Sequence, residues 1–555
     1  SFLASGFGFM AFLVGLVFIV FKTDPTKELK RVILLASGVL VPLVFALTIN
    51  QTILKDKGAD AISRAASIGA ITTDDSITAR IRYYTDVFNQ IKSSPIFGVG
   101  LGNWKLKSID FDKYDINGYV VPYHAHSDFI QLGAELGIIG FLSYLGIFFM
   151  AIFFAYRYIK NSSSTLEKRL FIFLSLVSLG IYSVDASLNF PIARPQVLVV
   201  WTLVMSLLSF YYYEQTEQQP KKKVSTSFLL LSIVCLLPSL FVTNSVYKSL
   251  KGQMYLLSDF NSNKYSVAMN DIDDIVPNIP NITVTTIPLK SVKARYYINA
   301  KQYDRALELL NEGTNANPYL HYSELLKSQI YSAKGQLDSA MYFARTAFFG
   351  LPNNSLHSAT YLNLISQLRD QNALDEAFEL LTAKGDFNNW KNYLIIANNI
   401  MPKGDLKTIE RAKEAVRLFP TNSDIKSLFN TIAIGQENIN EAQKLSNLAL
   451  TNFNQQDYVQ AAANFEKAIA LNPYEYAFYE NAATSNYLTG DLNKALEQID
   501  KVINEMNPLN GKCEYIKALI FIKLGDPIGA CPLLATSRDS GYGQAEGTFN
   551  QYCKN

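Results

Sequence analysis

Apolar residues are unevenly spread along this chain. Over residues 1–243 they gather into runs of about 20, the length a helix needs to cross the hydrocarbon core of a bilayer. Six runs qualify: residues 2–21, 32–49, 136–156, 170–188, 196–213 and 228–242, the last short and interrupted by Pro238. Buried helices of a soluble protein are a poor alternative when so many long runs cluster. Residues 244–555 instead read as soluble, mixed-charge helices. A chain of 555 residues is too long for one ordinary core, so at least two domains are expected.

The second half repeats itself. Ala306 and Ala340 lie 34 residues apart, as do Pro318 and Pro352. Further on, Asp457-Tyr458 returns as Asp491-Leu492, Ala461 matches Ala495, and Pro473 and Pro508 close their units. A 34-residue period with small residues where paired helices touch is the tetratricopeptide signature. Residues 386–454 are helical in pattern but irregular in period. The expected fold is therefore all-α: a polytopic helical membrane domain over 1–243, a linker over 244–289 and an α-solenoid over 290–555. Solenoids of this type bind proteins or peptides far more often than they catalyse, so a protein partner on its surface is expected. His321 and His357, inside the repeats, read as solvent-facing or structural.

Charge sets the orientation. The short loops holding Lys22, Lys27, Lys30 and Arg31, then Arg157, Lys160, Lys168 and Arg169, and then Lys221, Lys222 and Lys223 are basic, and basic short loops stay in the cytoplasm. The long loop 50–126, the turn 189–195 and everything after residue 242 then fall on the outer side, which in a bacterium is the periplasm. The net charge of +2 leaves no footprint for nucleic acid. Ser1 already lies inside an apolar run, with no charged segment before it and no cleavage site after it, so a signal peptide is a poor reading and further spans are expected upstream. Of the four cysteines, Cys235 reads as a buried small hydrophobe, and Cys513, Cys531 and Cys553 lack metal-site spacing. In an oxidising compartment Cys531 and Cys553 are the favoured pair.

The chemistry lies in the long loop. It contains Arg80-Ile81-Arg82-Tyr83-Tyr84, then Pro95 and the run Gly98-x-Gly100-x-Gly102, then His124-Ala125-His126-Ser127-Asp128, followed by Ala134-Glu135-Leu136-Gly137. No βαβ unit surrounds the glycines, so they read as a tight backbone turn and not a nucleotide loop. The His-x-His pair lacks further ligands at suitable spacing, although Asp110-x-Asp112 offers the D-x-D of some metal-dependent transferases. A catalytic base is the better reading. Asp128 with Gln131 resembles a capping box, which puts His126 at the positive end of a helix, where the ring is kept neutral. Arg80 and Arg82 suit phosphate oxygens through the guanidinium fork, a solvated loop face being the plain alternative.

In this order, these motifs resemble the O-antigen ligase and polymerase superfamily, which includes O-linked oligosaccharyltransferases. The segment Asn189-Phe190-Pro191-Ile192-Ala193-Arg194-Pro195 is similar to the next outer turn of members with tetratricopeptide tails. The resemblance covers roughly residues 1–242. It implies a GT-C-like membrane fold and metal-independent, inverting transfer without a cofactor. The donor would be a glycan on undecaprenyl diphosphate; the acceptor would be a lipid, glycan or protein. By position His126 matches the family's essential histidine and Arg80 its loop arginine. Ser127 stands where the family usually has asparagine, and a further family arginine would fall just before Ser1. Arg82, His124 and Arg194 are the expected substrate contacts, with Glu135 and Asp185 near the span ends to orient base, arginines or acceptor. The competing reading is a non-catalytic anchor displaying the solenoid, which would need neither His126 nor the loop arginines. A transporter is more distant, because charges sit at span ends and not midway.

Overall fold

The computed structural model describes residues 13, 15–18, 21–22, 75–160, 165–216, 226–506, 508 and 510–553. Among these the chain is helical, with one isolated β-bridge between Ile282 and Pro288. The first helices are α1 (Asp75–Ser93), α2 (Trp104–Phe111), α3 (Asp128–Lys160), α4 (Leu166–Leu188), α5 (Pro195–Thr216) and α6 (Thr226–Asn261). Helices α3 to α6 contain the four described segments long and apolar enough to cross a membrane, and they answer to the last four expected runs. The run 32–49 lies outside the described residues. Of 2–21, residues 13, 15–18 and 21 are described, with Leu16 and Phe21 packed on the core of the spans. That core is aromatic: Tyr182 stacks on Trp201 at 4.9 Å, and its hydroxyl accepts from Tyr144 at 3.2 Å. Leu230, Leu231 and Phe241 of α6 stay exposed, as suits a surface bathed in lipid.

Helix α3 is broken inside the apolar segment, and the glycine run explains how. Gly137 has φ 66°, outside helical space. The break frees backbone groups that lipid cannot satisfy, and the segment before the helix satisfies them. Val99 N donates to Ala134 O at 3.1 Å, Gly100 N donates to Glu135 O at 2.8 Å, and Ile138 N donates to Pro95 O at 2.8 Å. The approach leaves no room for a side chain. A Cβ on Gly98 would lie 2.4 Å from the Glu135 carbonyl carbon, and one on Gly137 would lie 2.1 Å from Ile96 O. The run expected as a tight turn is thus also a backbone clamp on a membrane helix.

Two compact units divide the chain, Ser1–Tyr361 and Leu362–Asn555. The first includes the membrane helices and the opening repeats, α7 (Leu289–Asn299), α8 (Tyr303–Ala316), α9 (Tyr322–Ala333) and α10 (Leu337–Gly350); α11 (Ser355–Leu368) runs across the division. Residues 244–289, expected as a linker, are folded. Helix α6 continues to Asn261, and Leu256, Ile272 and Val276 pack on Leu289, Val292 and Tyr296. Lys293, 1% exposed, donates to Asp273 at 2.5 Å, Val276 O at 2.7 Å and Asn278 at 3.0 Å. The last span therefore grows directly into the first repeat.

The second unit continues the helix pairs from α12 (Gln371–Thr382) to α22 (Ala545–Cys553). Several second helices of a pair start on an aspartate cap: Asp405 accepts from Thr408 N at 2.8 Å, Asp491 from Lys494 N at 3.2 Å and Asp526 from Gly529 N at 2.8 Å. Gly404, Gly490 and Gly525, with positive φ, turn the chain just before each. Ala412, Ala461, Ala495 and Ala530 are fully buried where the helices meet. The irregular period has a visible cause, since Ser423–Ile434 and the 19-residue Gln436–Asn454 stand consecutively where the alternation has room for one helix. Cys531 and Cys553 form a disulfide, Cys513 is buried and free, and Cys235 is exposed on α6.

Candidate active site

Three elements converge near the start of α3: helix α1, the segment 122–127, and the turn 189–195 between α4 and α5. They form one end of the span bundle. Helix α3 starts there, α4 ends there, α5 starts there and α6 emerges on the same side into the repeats. The basic residues Arg157, Lys160, Lys168 and Arg169 lie at the opposite ends.

His126 sits at the centre with φ 56°, a left-handed conformation that costs a non-glycine residue energy and tends to persist where the surroundings enforce it. Here they do. Tyr84 Oη donates to His126 O at 3.1 Å, Tyr83 lies parallel to the His126 ring at 6.3 Å, and Phe190 meets that ring edge-on at 5.5 Å. Neither ring nitrogen of His126 is engaged by another side chain among the described residues. Burial lowers its pKa below the ordinary imidazole value, and the Arg80 guanidinium lowers it further. His124 is lowered too, by burial first and then by His126, Lys105 and Arg194, against a contact with Gln131. Its ring stacks on Phe190 at 4.0 Å.

The turn is fastened to α3 by an aspartate. Asp128 is the first residue of that helix and is 1% exposed; its Oδ2 accepts from Ile192 N at 2.9 Å. The expected capping box is therefore not formed. Asp128 meets an N–H of the turn instead, and Gln131 Oε1 accepts from Ala125 N at 3.0 Å. Asp185 holds the other side of the turn, accepting from Asn189 Nδ2 at 2.7 Å and facing Arg194 Nη1 at 3.5 Å. Arg194 also lies over the Phe190 ring at 5.1 Å.

The two loop arginines part company. Arg82, expected on phosphate, is committed elsewhere: its Nε lies 2.6 Å from Asp112 Oδ1 and its Nη1 3.4 Å from Asp115 Oδ1. Arg80 makes no ion pair among the described residues. Glu135 does not face the histidines. It accepts from Gly102 N at 2.9 Å and Gln131 Nε2 at 3.2 Å, so it holds the glycine clamp. The Asp110-x-Asp112 pair is split, Asp110 lying 2.6 Å from Lys107 and Asp112 serving Arg82. Among the described residues no three His, Cys, Asp or Glu side chains are grouped to hold a metal ion. Sequence reasoning missed Tyr83, Tyr84, Asp128 and Phe190 as site-builders. All four adjoin residues it selected, and a pair of tyrosines beside a loop arginine was the available signal.

Comparison with known proteins bears on this site. Residues 2–145 match the model of the O-antigen ligase family. This part of the chain is an O-antigen ligase domain. The match takes in Arg80, His126 and the clamped first part of helix α3 but ends before the turn 189–195. A Rickettsia conorii protein provisionally named a polysaccharide ligase is 32% identical over 102 residues, 18% of this chain and 23% of that protein. A tetratricopeptide repeat-containing protein of Methanocaldococcus jannaschii is 26% identical over 239 residues, 41% of this chain and 40% of that protein. The chain thus spans less than half the length of either relative. A solved tetratricopeptide repeat protein from Parabacteroides merdae superposes with 14% identity and a TM-score of 0.21, covering 47% of this chain and 96% of that one. An O-antigen ligase domain joined to a tetratricopeptide-type solenoid is the architecture of this chain.

Proposed function

We propose that the chain transfers a glycan from undecaprenyl diphosphate to an acceptor hydroxyl at the outer, periplasmic face of the bacterial inner membrane, with His126 as general base. The observation that carries this reading is the state of His126, which is held in a left-handed conformation with its neutral form favoured and, among the described residues, with neither ring nitrogen engaged by a side chain and with an arginine beside it that makes no ion pair. The acceptor hydroxyl loses its proton to the His126 ring as its oxygen attacks the anomeric carbon. The bond from that carbon to the diphosphate oxygen breaks on the opposite face, which inverts the configuration. Arg80 meets the charge that develops on the departing diphosphate, with Arg194 across the Phe190 ring as the second cation.

Base assistance of this kind is typically worth roughly 10²–10⁴-fold, and charge stabilisation at the leaving group is often larger. Asp128, Asp185 and Glu135 place the groups that supply them and do not react. No step calls for a metal or a cofactor. The acceptor is a lipid, a growing glycan or a protein.

The test uses full-length protein, with and without His126→Ala, in cells supplying a lipid-linked glycan. Transfer is followed by gel mobility and mass spectrometry. Normal accumulation without transfer is the expected result, and the modified molecule identifies the acceptor. Unchanged transfer would overturn the proposal.

A further inference from the structure

The outer loop leaves the site after α2 and returns to it at His124, and between those points it rests on the repeats. Ile109 and Ile116 are buried with Leu310, Leu320 and Ile330 in one apolar cluster, onto which Tyr119 also packs. Polar contacts fix the seating. Asn354 Nδ2 donates to Gly118 O, Asn353 Nδ2 donates to Asp115 O at 3.4 Å, and Tyr119 Oη lies 3.0 Å from His357 Nε2. The direction of the last bond follows from its neighbour. His357 Nδ1 lies 2.9 Å from Ala347 O, which can only accept, so Nδ1 carries the proton and Nε2 accepts from Tyr119. Asn354 and His357 are fully buried.

The seated segment also holds the site. Its Asp112 and Asp115 grip Arg82, which lies on α1 between Arg80 and Tyr84. Tyr84 in turn donates to the His126 carbonyl. A continuous set of contacts therefore runs from the repeats through residues 112–119 and Arg82 to the histidine.

We infer that the first repeats are a positioning element of the transferase site, in which Asn354 and His357 seat residues 112–119 so that Arg82 fixes where α1 presents Arg80 and Tyr84 to His126. The inference rests on the reading of His126 as the base. It assigns Asn354, His357, Tyr119 and Arg82 no contact with substrate; they set geometry, and a misplacement of about 1 Å at reacting groups is worth roughly 10²-fold in rate.

The experiment measures kcat and KM for a polyprenyl-diphosphate-linked glycan with full-length protein in membranes. Tyr119→Phe with Asn354→Ser removes both donors yet keeps the ring packing and a capping oxygen for α11. Asp112→Asn breaks the next link, the triple variant combines them, and His126→Ala is run alongside. The double variant is expected to accumulate normally, to lose about tenfold to a hundredfold in kcat, and to keep the donor KM within about twofold. The triple variant should be no slower than the slower parent, because both sets of changes cut one chain of contacts. Wild-type kcat in the double variant, with His126→Ala silent, overturns the inference and leaves the base in place. Losses that multiply in the triple variant overturn it as well, since they show separate structural effects. Normal transfer by His126→Ala defeats the base reading, and the inference with it.

Discussion

The carboxylate of Asp128 accepts the backbone N–H of Ile192 at 2.9 Å, across 64 positions of sequence, and so ties the start of a membrane helix to the turn 189–195. That turn carries Phe190 and Arg194. In Asp128→Ala the N–H loses its buried acceptor, which costs about 1–3 kcal/mol, and the turn loosens over the histidines. We expect Asp128→Ala to accumulate in membranes but to lose most glycan transfer, whereas Asp128→Asn, which keeps an acceptor oxygen, retains a substantial part of it. Equal transfer in the two variants would show that the bond to the turn does not matter.

Gly98 and Gly137 interlock, so an alanine at either should be felt at both. The added Cβ would sit 2.4 Å from Glu135 C in Gly98→Ala and 2.1 Å from Ile96 O in Gly137→Ala, and both positions have positive φ. The expected outcome is loss of folded protein, read as reduced membrane accumulation and faster trypsin cleavage of the loop. Gly102→Ala also has positive φ but meets no atom within 4 Å, and should be the mildest of the three. If all three behave alike, backbone conformation and not close approach is what these glycines supply.

With His126 as the proposed base, a pH dependence of transfer is expected from it. A general base works in its neutral form, and burial with the Arg80 charge lowers its pKa. Activity should therefore persist through neutrality and fall only below the ordinary imidazole range near about 6.5. Arg80→Gln removes the second cause, so its acid limb should move to higher pH while its maximal rate drops. An acid limb that stays in place in Arg80→Gln would mean that another group sets it.

The cysteines divide by chemistry. Cys531 and Cys553 are joined, whereas burial and the Glu480 carboxylate beside it raise the Cys513 thiol pKa and leave it protonated at neutral pH. Alkylation of the native protein without reductant should leave Cys513 unmodified, and peptide mapping should recover the Cys531–Cys553 link. Cys531→Ser should cost about 3 kcal/mol by the loop-closure argument, visible as fraying of the last helix before the rest of its unit melts. Rapid labelling of Cys513 would contradict its buried placement.

How much was legible in the sequence depended on distance along the chain. Apolar runs announced the described spans, and the spacing of Ala306, Ala340, Ala461 and Ala495 announced the repeats, because both signals are local and periodic. His126 and Arg80 could be selected because they stand within short motifs. The partners of Arg82 could not, since Asp112 and Asp115 lie some 30 positions away in a loop with no period. Asp128 was read as a local cap because a neighbour three residues on offers an obvious partner, whereas its actual one lies beyond two membrane passages. The seating of Tyr119 on His357, 238 positions apart, left no trace in either segment, for a tyrosine and a repeat histidine are unremarkable where they stand.

Helix α6 has a mechanical consequence. Its 36 residues rise roughly 54 Å at about 1.5 Å each, and a hydrocarbon core takes up about 30 Å of that. The remainder stands clear of the bilayer as a stiff shaft ending in the packed cluster around Leu256 and Tyr296. Bilayers of different thickness set different tilts for a span, and a shaft turns tilt at its root into displacement at its tip. The tip carries the repeats on which residues 109–119 are seated, so tilt of this helix and the placement of that segment are mechanically linked.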